Sequence, residues 1–309
     1  MATHEAPNDG ARRNIRTTLS VAAGLLGTLV LVDPLTPIVS AAVDPTTATV
    51  TGVVYADDNG NGNGNQDADE EGIENVSVSD GATLTQTDET GRYTITTDVT
   101  RRITDLVFVS QPAGFTVGKD EYSTAHFYRD LGQLTEGSEQ TVDFALAPDP
   151  KSRANSFTFA NIADPHANPG NPLRSAAAWK AQIAEIGSTS QNLGFVQVSG
   201  DLTDRATDAE FENYRAGTAT SRVPVWPAVG NHEYFYGGAA TYPARIDNYR
   251  RYVGPEWYSF DYGNRHFVVL ENNGQAPFEE QFSWLRQDLA ANATGKQVVV
   301  LTHQPMNVP

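Results

Sequence analysis

Along residues 43–148, apolar and polar positions alternate in short runs separated by Gly, Asn, Asp and Pro. The stretches "ATVTGVVYA" (48–56), "ENVSVSD" (74–80), "ATLTQT" (82–87), "GRYTITT" (91–97), "TDLVFVS" (104–110) and "QTVDFAL" (140–146) all read as strands. No helical period interrupts them, so the spacing predicts a small all-β sandwich. A polar, Pro-containing segment over 149–156 reads as a linker.

From residue 157 the period changes. "SFTFANIAD" (156–164), "GFVQVSGD" (194–201), "VPVWPAVGN" (223–231) and "KQVVVLTH" (296–303) read as strands, and "WYSFDY-GN-RHFVVLE" (257–271) as a hairpin turning at Gly263-Asn264. "NPLRSAAAWKAQIAEIG" (171–187) reads as a helix with Asn171 as N-cap, Pro172 at its first position and Gly187 as its stop. "PFEEQFSWLRQDLA" (277–290) reads as a second helix. Strands alternating with helices predict an α/β layered domain over 157–309, in which ligands collect at the carboxyl ends of the strands.

The first 42 residues stand apart. A basic head (Arg12, Arg13, Arg16) precedes an apolar stretch from Leu19 to Val32, and small residues follow at Ser40, Ala41 and Ala42. This is the layout of an export signal, and Arg12-Arg13 resembles a twin-arginine signal. The apolar stretch is short for a spanning helix of about 20 residues. The expectation is an exported protein, secreted, periplasmic or at the cell surface, with no membrane span once the signal is removed; the alternative is an uncleaved membrane anchor.

The 309 residues carry a formal charge of −17 and no cysteine. The charge disfavours nucleic acid as a bulk electrostatic partner. The lack of cysteine excludes disulfides, thiol catalysis and thiolate metal sites. Any resident metal must be held by His, Asp, Glu or Asn, a donor set suited to manganese, iron or zinc. Nothing in the sequence addresses oligomeric state.

One loop of the first domain carries candidate chemistry. In "DDNGNGNGNQDADEEGI" (57–73), oxygen-bearing side chains recur at alternate positions: Asp57, Asn59, Asn61 and Asn63, followed by Asp67 and Glu70. The EF-hand pattern fits in neither of two frames completely, so this is a candidate calcium loop or a flexible polar turn. With "TDETGRYTI" after it, the region 50–117 resembles the SdrD B-like and carboxypeptidase-regulatory-like repeats of bacterial surface proteins. That resemblance implies a stalk or accessory module, with Gly91 and Tyr93 structural.

In the second domain the unusual polar residues sit at predicted strand ends: Asp164-Pro165-His166, Gly200-Asp201-Leu202-Thr203-Asp204, Gly230-Asn231-His232-Glu233, and His303. Asp164, His166, Asp201, Asn231 and His303 are hard or borderline ligands, and His232 and Asp204 are acid–base types. Glycines before Asp201 and Asn231 allow sharp turns and close approach. His126 and His266 match none of these motifs and read as ordinary strand residues.

The series D-x-H, G-D-x-x-D, G-N-H-[DE] and a strand-end His resembles the calcineurin-like metallophosphoesterase superfamily, over roughly residues 157–309. The resemblance implies an αββα sandwich and a phosphorylated substrate, a phosphomonoester or phosphodiester. It implies two divalent ions (manganese, iron or zinc) bridged by Asp201. Asp164 and His166 would bind the first, and Asn231 and His303 the second. A metal-activated hydroxide would attack phosphorus. His232 would meet the leaving oxygen, and Asp204 would orient His232 and favour its imidazolium. Purple acid phosphatases carry Tyr at the position of Asp204 and D-x-G where this chain has Asp164-Pro165-His166, which disfavours a tyrosinate–iron site. Arg205 is either a phosphate contact or a solvated arginine. Tyr234, Phe235 and Tyr236 read as core packing or loop support, with a cleft wall as the alternative. The family's last motif, G-H-x-H, has no counterpart within the six residues after His303, so the chain is expected to be a piece of a longer one. The competing reading is a cell-surface binding or structural protein with a catalytically incomplete phosphoesterase-like domain.

Overall fold

The computed structural model describes residues 46–60, 64–235, 242 and 244–306. The export signal expected over residues 1–42 lies outside them. All described residues belong to one compact unit, Asp44–Pro309.

The first half is a sandwich of two sheets. Strand β1 (Thr47–Ala56) is its spine. It pairs antiparallel with β4 (Arg92–Asp98) and in parallel with β8 (Glu139–Thr141) and β9 (Phe144–Pro148). β9 also pairs with β6 (Phe115–Thr116). The second sheet runs β3 (Leu84–Gln86), β2 (Ser77–Ser79), β5 (Leu106–Val109), β7 (Tyr128–Asp130). Val50, Val54, Val78, Ile95, Val107, Val109 and Phe144 fill the space between the sheets. The stretch 140–146 was expected as one strand and forms the ends of two. The chain breaks at Val142-Asp143, where Asp143 Oδ1 accepts the Val53 N–H at 2.8 Å and Val142 O accepts the Tyr93 hydroxyl at 2.7 Å. Gly52 is required there, because a Cβ on it would stand 1.7 Å from Val142 O. Strands β6 and β7 were not legible, being two and three residues long.

The second half has four layers. Strands β10 (Thr158–Ile162), β11 (Leu193–Ser199) and β12 (Val225–Ala228) form a parallel sheet. The hairpin β13 (Tyr258–Tyr262) and β14 (Arg265–Val269) continues in parallel into β15 (Gln297–Leu301). The two sheets face each other through aromatic rings: Trp226 stacks on Phe260 at 4.1 Å, and Phe195 meets Phe260 and Phe267 edge-on at 5.1 Å. On the outer face of the first sheet, Val196, Val198 and Val225 pack with Trp179, Phe211, Tyr214 and Tyr249 from α1 (Ala176–Thr189), α2 (Asp208–Thr218) and α3 (Asp247–Tyr252). Trp284 of α4 (Phe278–Asn292) packs into the core shared by the second sheet and the sandwich. This is the expected αββα arrangement beside a β-sandwich.

Helix boundaries differ from the sequence reading. Asn171 caps only a 3-10 turn, Pro172–Arg174. The α-helix starts after Ser175, whose hydroxyl accepts the Ala178 N–H. Gly187 lies inside α1 and does not stop it. Helix α2 went unread although it carries a capping box, Thr207 with Glu210. Residues 149–156 are not a loose linker. Pro150–Arg153 form a 3-10 turn, and the fully buried Ser152 accepts the Gly114 N–H through its hydroxyl and the Gly263 N–H through its carbonyl.

The sandwich is also no detached stalk. Residues Ser123 and Ala125 exchange backbone hydrogen bonds with Val225, which closes the exposed edge of β12. Gln111 O accepts the Asp261 N–H at the edge of β13. Phe127 reaches Trp226 and Tyr258 at 5.1 and 4.5 Å. One hydrophobic cluster runs from Ala48 to Leu301 across both halves.

A buried polar network fastens the same junction. His266 is fully buried; its Nδ1 faces Asp261 Oδ1 and its Nε2 faces Asp288 Oδ2, both at 2.8 Å. Both nitrogens must donate, so the ring is an imidazolium. It is therefore no ordinary strand residue. Ser259 donates to Asp288, so Ser110 of the sandwich donates to Ser259, and Ser77 donates to Asn292. Burial opposes the charge on His266, but the bonds to Asp261 and Asp288 outweigh it and lift its pKa to about 9. A raised folded pKa stabilises fully below the ordinary value of 6.5 and loses that contribution as pH climbs through 9. The loss amounts to about 3 kcal/mol. Urea unfolding of the chain and of His266→Phe at pH 6 and pH 9.5 tests it. The parent should lose more stability over that interval than the variant, and parallel losses would refute the assignment.

Candidate metal centre

The carboxyl ends of β10, β11, β12 and β15 converge, and the polar residues read from the sequence meet there. The chain takes unusual backbone to bring them in. Asp164, His166 and Asp201 have φ of 58°, 45° and 52°, left-handed values that cost non-glycine residues about 1–3 kcal/mol each. The loops hold one another in place. Asp164 N–H donates to Gly200 O, His166 N–H to Asp201 O and Ala167 N–H to Leu202 O. The strain is thus fixed by a short ladder between the β10 and β11 ends.

Asp201, 4% exposed, lies at the centre. Its Oδ2 stands 3.6 Å from His166 Nε2 and 3.8 Å from His232 Nε2, and its Oδ1 3.3 Å from His303 Nε2. Oδ1 also accepts the His232 N–H at 3.0 Å. Burial works against ionisation of Asp201, but the bonds from His303 and the His232 backbone prevail and hold its pKa below the ordinary value. His303 shows the reciprocal effect. Its bond to Asp201, opposed by burial, lifts its pKa to about 9. Its Nδ1 donates to Ser199 O at 2.8 Å, which aims Nε2 at Asn231 Oδ1 (3.1 Å) and Asp201. Gln304 Nε2 donates to the same Asn231 oxygen at 2.8 Å. Gln304 belongs to no motif, so pattern reading does not single it out.

The two glycines make this packing feasible. A Cβ on Gly230 would meet Asp201 N at 2.1 Å and Oδ1 at 2.2 Å, and one on Gly200 would meet the His303 ring at 2.6 Å. Glu233, fully buried, staples the β11 and β12 loops. It accepts from Thr203 N–H and hydroxyl on one oxygen and from Gly230 N–H on the other. Burial lifts its pKa to about 7 in spite of those bonds.

Two clusters of ligating atoms result: His166, Asp201 and His232, and Asp164, Asp201 and His303, each within 4.8 Å. Asp201 is common to both. The donors are nitrogen and oxygen, and the buried His166 Nδ1 has no hydrogen-bond partner. This set fits divalent cations. Asp204 differs from expectation. Its carboxylate turns to Arg174 and Asn168, both at 3.3 Å, and stands 4.0 Å from His232 Nδ1. It is the Asp204 backbone carbonyl that accepts from His232 Nδ1, at 2.6 Å. Asp204 therefore orients His232 through the main chain. Arg205 is exposed, its guanidinium free of partners among the described residues, and lines a cleft with Asp204, His232 and Phe235. Tyr234 packs in the core, and Tyr236 lies outside the described residues.

The loop after β1 is described in part, since Asn61 and Asn63 lie outside the described residues. Asp57 Oδ1 accepts the Gly60 N–H, Asn59 Nδ2 donates to Asp67 Oδ2, and Asp67 N–H donates to the buried Glu70. Among the described residues, Asp57, Asp67 and Glu70 do not form a close ligating trio.

Comparison with known proteins places both halves. Residues 60–149 match the N-terminal domain of calcineurin-like phosphoesterases, and residues 157–308 match the calcineurin-like phosphoesterase domain. The sandwich is thereby matched to a phosphoesterase's own N-terminal domain rather than to a surface-protein repeat. No curated protein matches the chain. Among solved structures, the purple acid phosphatase PPD1 from yellow lupin (Lupinus luteus) seeds is similar at 14% identity with a TM-score of 0.37. That match covers 74% of this chain, and the chain spans 45% of the length of that protein. With the two domain matches following one another along a single compact unit, the chain belongs to the calcineurin-like phosphoesterases.

Proposed function

We propose that the protein is an exported, metal-dependent phosphoesterase that hydrolyses phosphomonoesters or phosphodiesters. The observation that carries this reading is the position of Asp201, shared by two ligating clusters at the converging strand ends. Asp164, His166, Asp201, Asn231 and His303 would hold two divalent ions, and His232 is close enough to His166 and Asp201 to join them or to stand beside them. When bound, such ions supply Lewis acidity and a nucleophile from water at neutral pH.

The chain's own residues supply the rest. His232 donates Nδ1–H to the Asp204 carbonyl, which leaves Nε2 directed into the site and able to exchange a proton with a leaving oxygen. Arg205, exposed at the cleft and unpaired among the described residues, can hold a phosphoryl oxygen. The rim otherwise carries the carboxylates of Asp164, Asp201 and Asp204, so a cation must balance them before an anionic ester can bind. Export rests on the N-terminal pattern and agrees with a cysteine-free chain. Among the described residues no helix is long and apolar enough to cross a membrane.

Hydrolysis of an aryl phosphate and of a phosphodiester with added manganese tests the activity. Turnover of either supports the reading, and failure with both, also with iron and zinc, defeats it. His303→Ala should lower bound metal, read by elemental analysis after dialysis, along with turnover. Gly230→Ala gives a stricter check, because its new methyl group collides with Asp201 rather than removing a ligand. It should weaken metal retention by at least about tenfold while every ligand remains, a shift of about 1.4 kcal/mol. Unchanged retention would show that the Gly230–Asp201 contact does not set the site.

A further inference from the structure

The turn after Asn231 sends consecutive aromatic residues to opposite sides. The 3-10 turn His232–Tyr234 buries Tyr234 to 2% exposure, whereas Phe235 is 51% exposed. Phe235 belongs to neither hydrophobic cluster. Its ring contact among the described residues is His232, with centroids 4.8 Å apart and planes inclined by 51°. Together with Asp204, Arg205 and His232 it lines a cleft of about 370 Å³. A large ring held in water at the mouth of a cleft offers one face for stacking.

We infer that this cleft takes the leaving group of the phosphoester, that the leaving group is an aromatic ring joined directly to the ester oxygen, and that Phe235 selects it. The inference rests on the phosphoesterase reading and specifies its substrate class. An ester oxygen within hydrogen-bond reach of His232 puts the group attached to it beside Phe235, because the two rings adjoin. Among the described residues Arg205 is the one arginine or lysine of the lining, and it suits the phosphoryl oxygens. Among the described residues the lining offers a sugar or polyol no amide or hydroxyl side chain, and the Asp204 carboxylate is engaged by Arg174 and Asn168. A nucleobase would sit farther from His232, across a ribose. A planar ring on the ester oxygen matches both the distance and the chemistry.

The test uses the full chain loaded with manganese and reads binding as well as turnover. Benzylphosphonate keeps the shape of phenyl phosphate but has no ester bond to break, and ethylphosphonate is its alkyl counterpart. By calorimetry, benzylphosphonate should bind about tenfold more tightly than ethylphosphonate, the range of an aromatic pair. In Phe235→Ala that ratio should fall to near one, and in Phe235→Trp it should persist. The ratio of kcat/KM for phenyl phosphate over an alkyl phosphate of matched leaving-group acidity should move in step. Unchanged metal content and melting temperature would show that the variants are folded. Equal binding of the two phosphonates by the parent chain, a preference that survives Phe235→Ala, or tighter binding of a nucleoside 5′-phosphonate than of benzylphosphonate would overturn the inference. If phosphoesters are hydrolysed without aromatic preference, only this inference falls. If no phosphonate binds and no ester is hydrolysed, the phosphoesterase reading falls with it.

Discussion

The contact between the Asp201 carboxylate and Gly230 is the constraint on which the site depends. Asp201 sits in left-handed backbone, almost fully buried, with its main chain pressed against the α-carbon of a glycine on the next strand's loop. That closeness lets one carboxylate face His166, His232 and His303 at once. A side chain on Gly230 would separate the β11 and β12 loops and divide the two ligand clusters. The strained backbone at Asp164, His166 and Asp201 follows from the same demand. Regular strand geometry would point alternate side chains to opposite faces, whereas the site needs them on one rim.

Strain of this kind persists only when the surroundings over-determine it, and here they do so in two tiers. Nearest the site, Glu233 ties Thr203 to Gly230 with both carboxylate oxygens, and main-chain bonds lace the β10 end to the β11 end. Farther out, the N-terminal sandwich completes the edges of the two central sheets at Val225 and Asp261, shares their hydrophobic core, and is fastened through the His266 network. Among the described residues no hydrogen bond or ion pair joins the sandwich to the ligating residues, yet it covers strand edges that would otherwise expose unpaired backbone groups. It is best described as part of the scaffold that keeps the strand ends in register.

Much of the site was legible in the sequence because its motifs are local. Asp164-Pro165-His166, Gly200-Asp201 and Gly230-Asn231-His232 each follow an apolar run that the period identifies as a strand, and strand ends in α/β sheets gather on one rim. What was not legible was long-range. His266 looked like a strand residue because its two carboxylate partners lie 5 and 22 positions away, on another strand and on a helix. Gln304 reaches Asn231 across 73 positions. Asp204 was read as an ion-pair partner of His232, yet its side chain is drawn off by Arg174 and Asn168, and the main-chain carbonyl makes the contact. Pattern reading also merged the 3-10 turn at Pro172 with α1, since both fall under one run of helix-forming residues. The linker reading failed for a similar reason: Ser152 is polar in sequence but buried between the two halves.

The charge balance links metal and substrate in one direction. The rim brings together Asp164, Asp201 and Asp204 in a chain of formal charge −17. Of the nearby arginines, Arg174 is spent on Asp204, which leaves Arg205 as the free cation of the cleft among the described residues. A phosphoester approaching this rim meets net repulsion unless divalent charge has already compensated the carboxylates. Binding of the cations and of the anion are then mutually reinforcing, since each lowers the electrostatic cost of the other, and the coupling must be equal in both directions. The low dielectric around the buried Asp201 strengthens it. A site built this way separates affinity from selectivity. The charges set how tightly any phosphoester is held, and the neutral surface beside them, Phe235, is left to distinguish one leaving group from another.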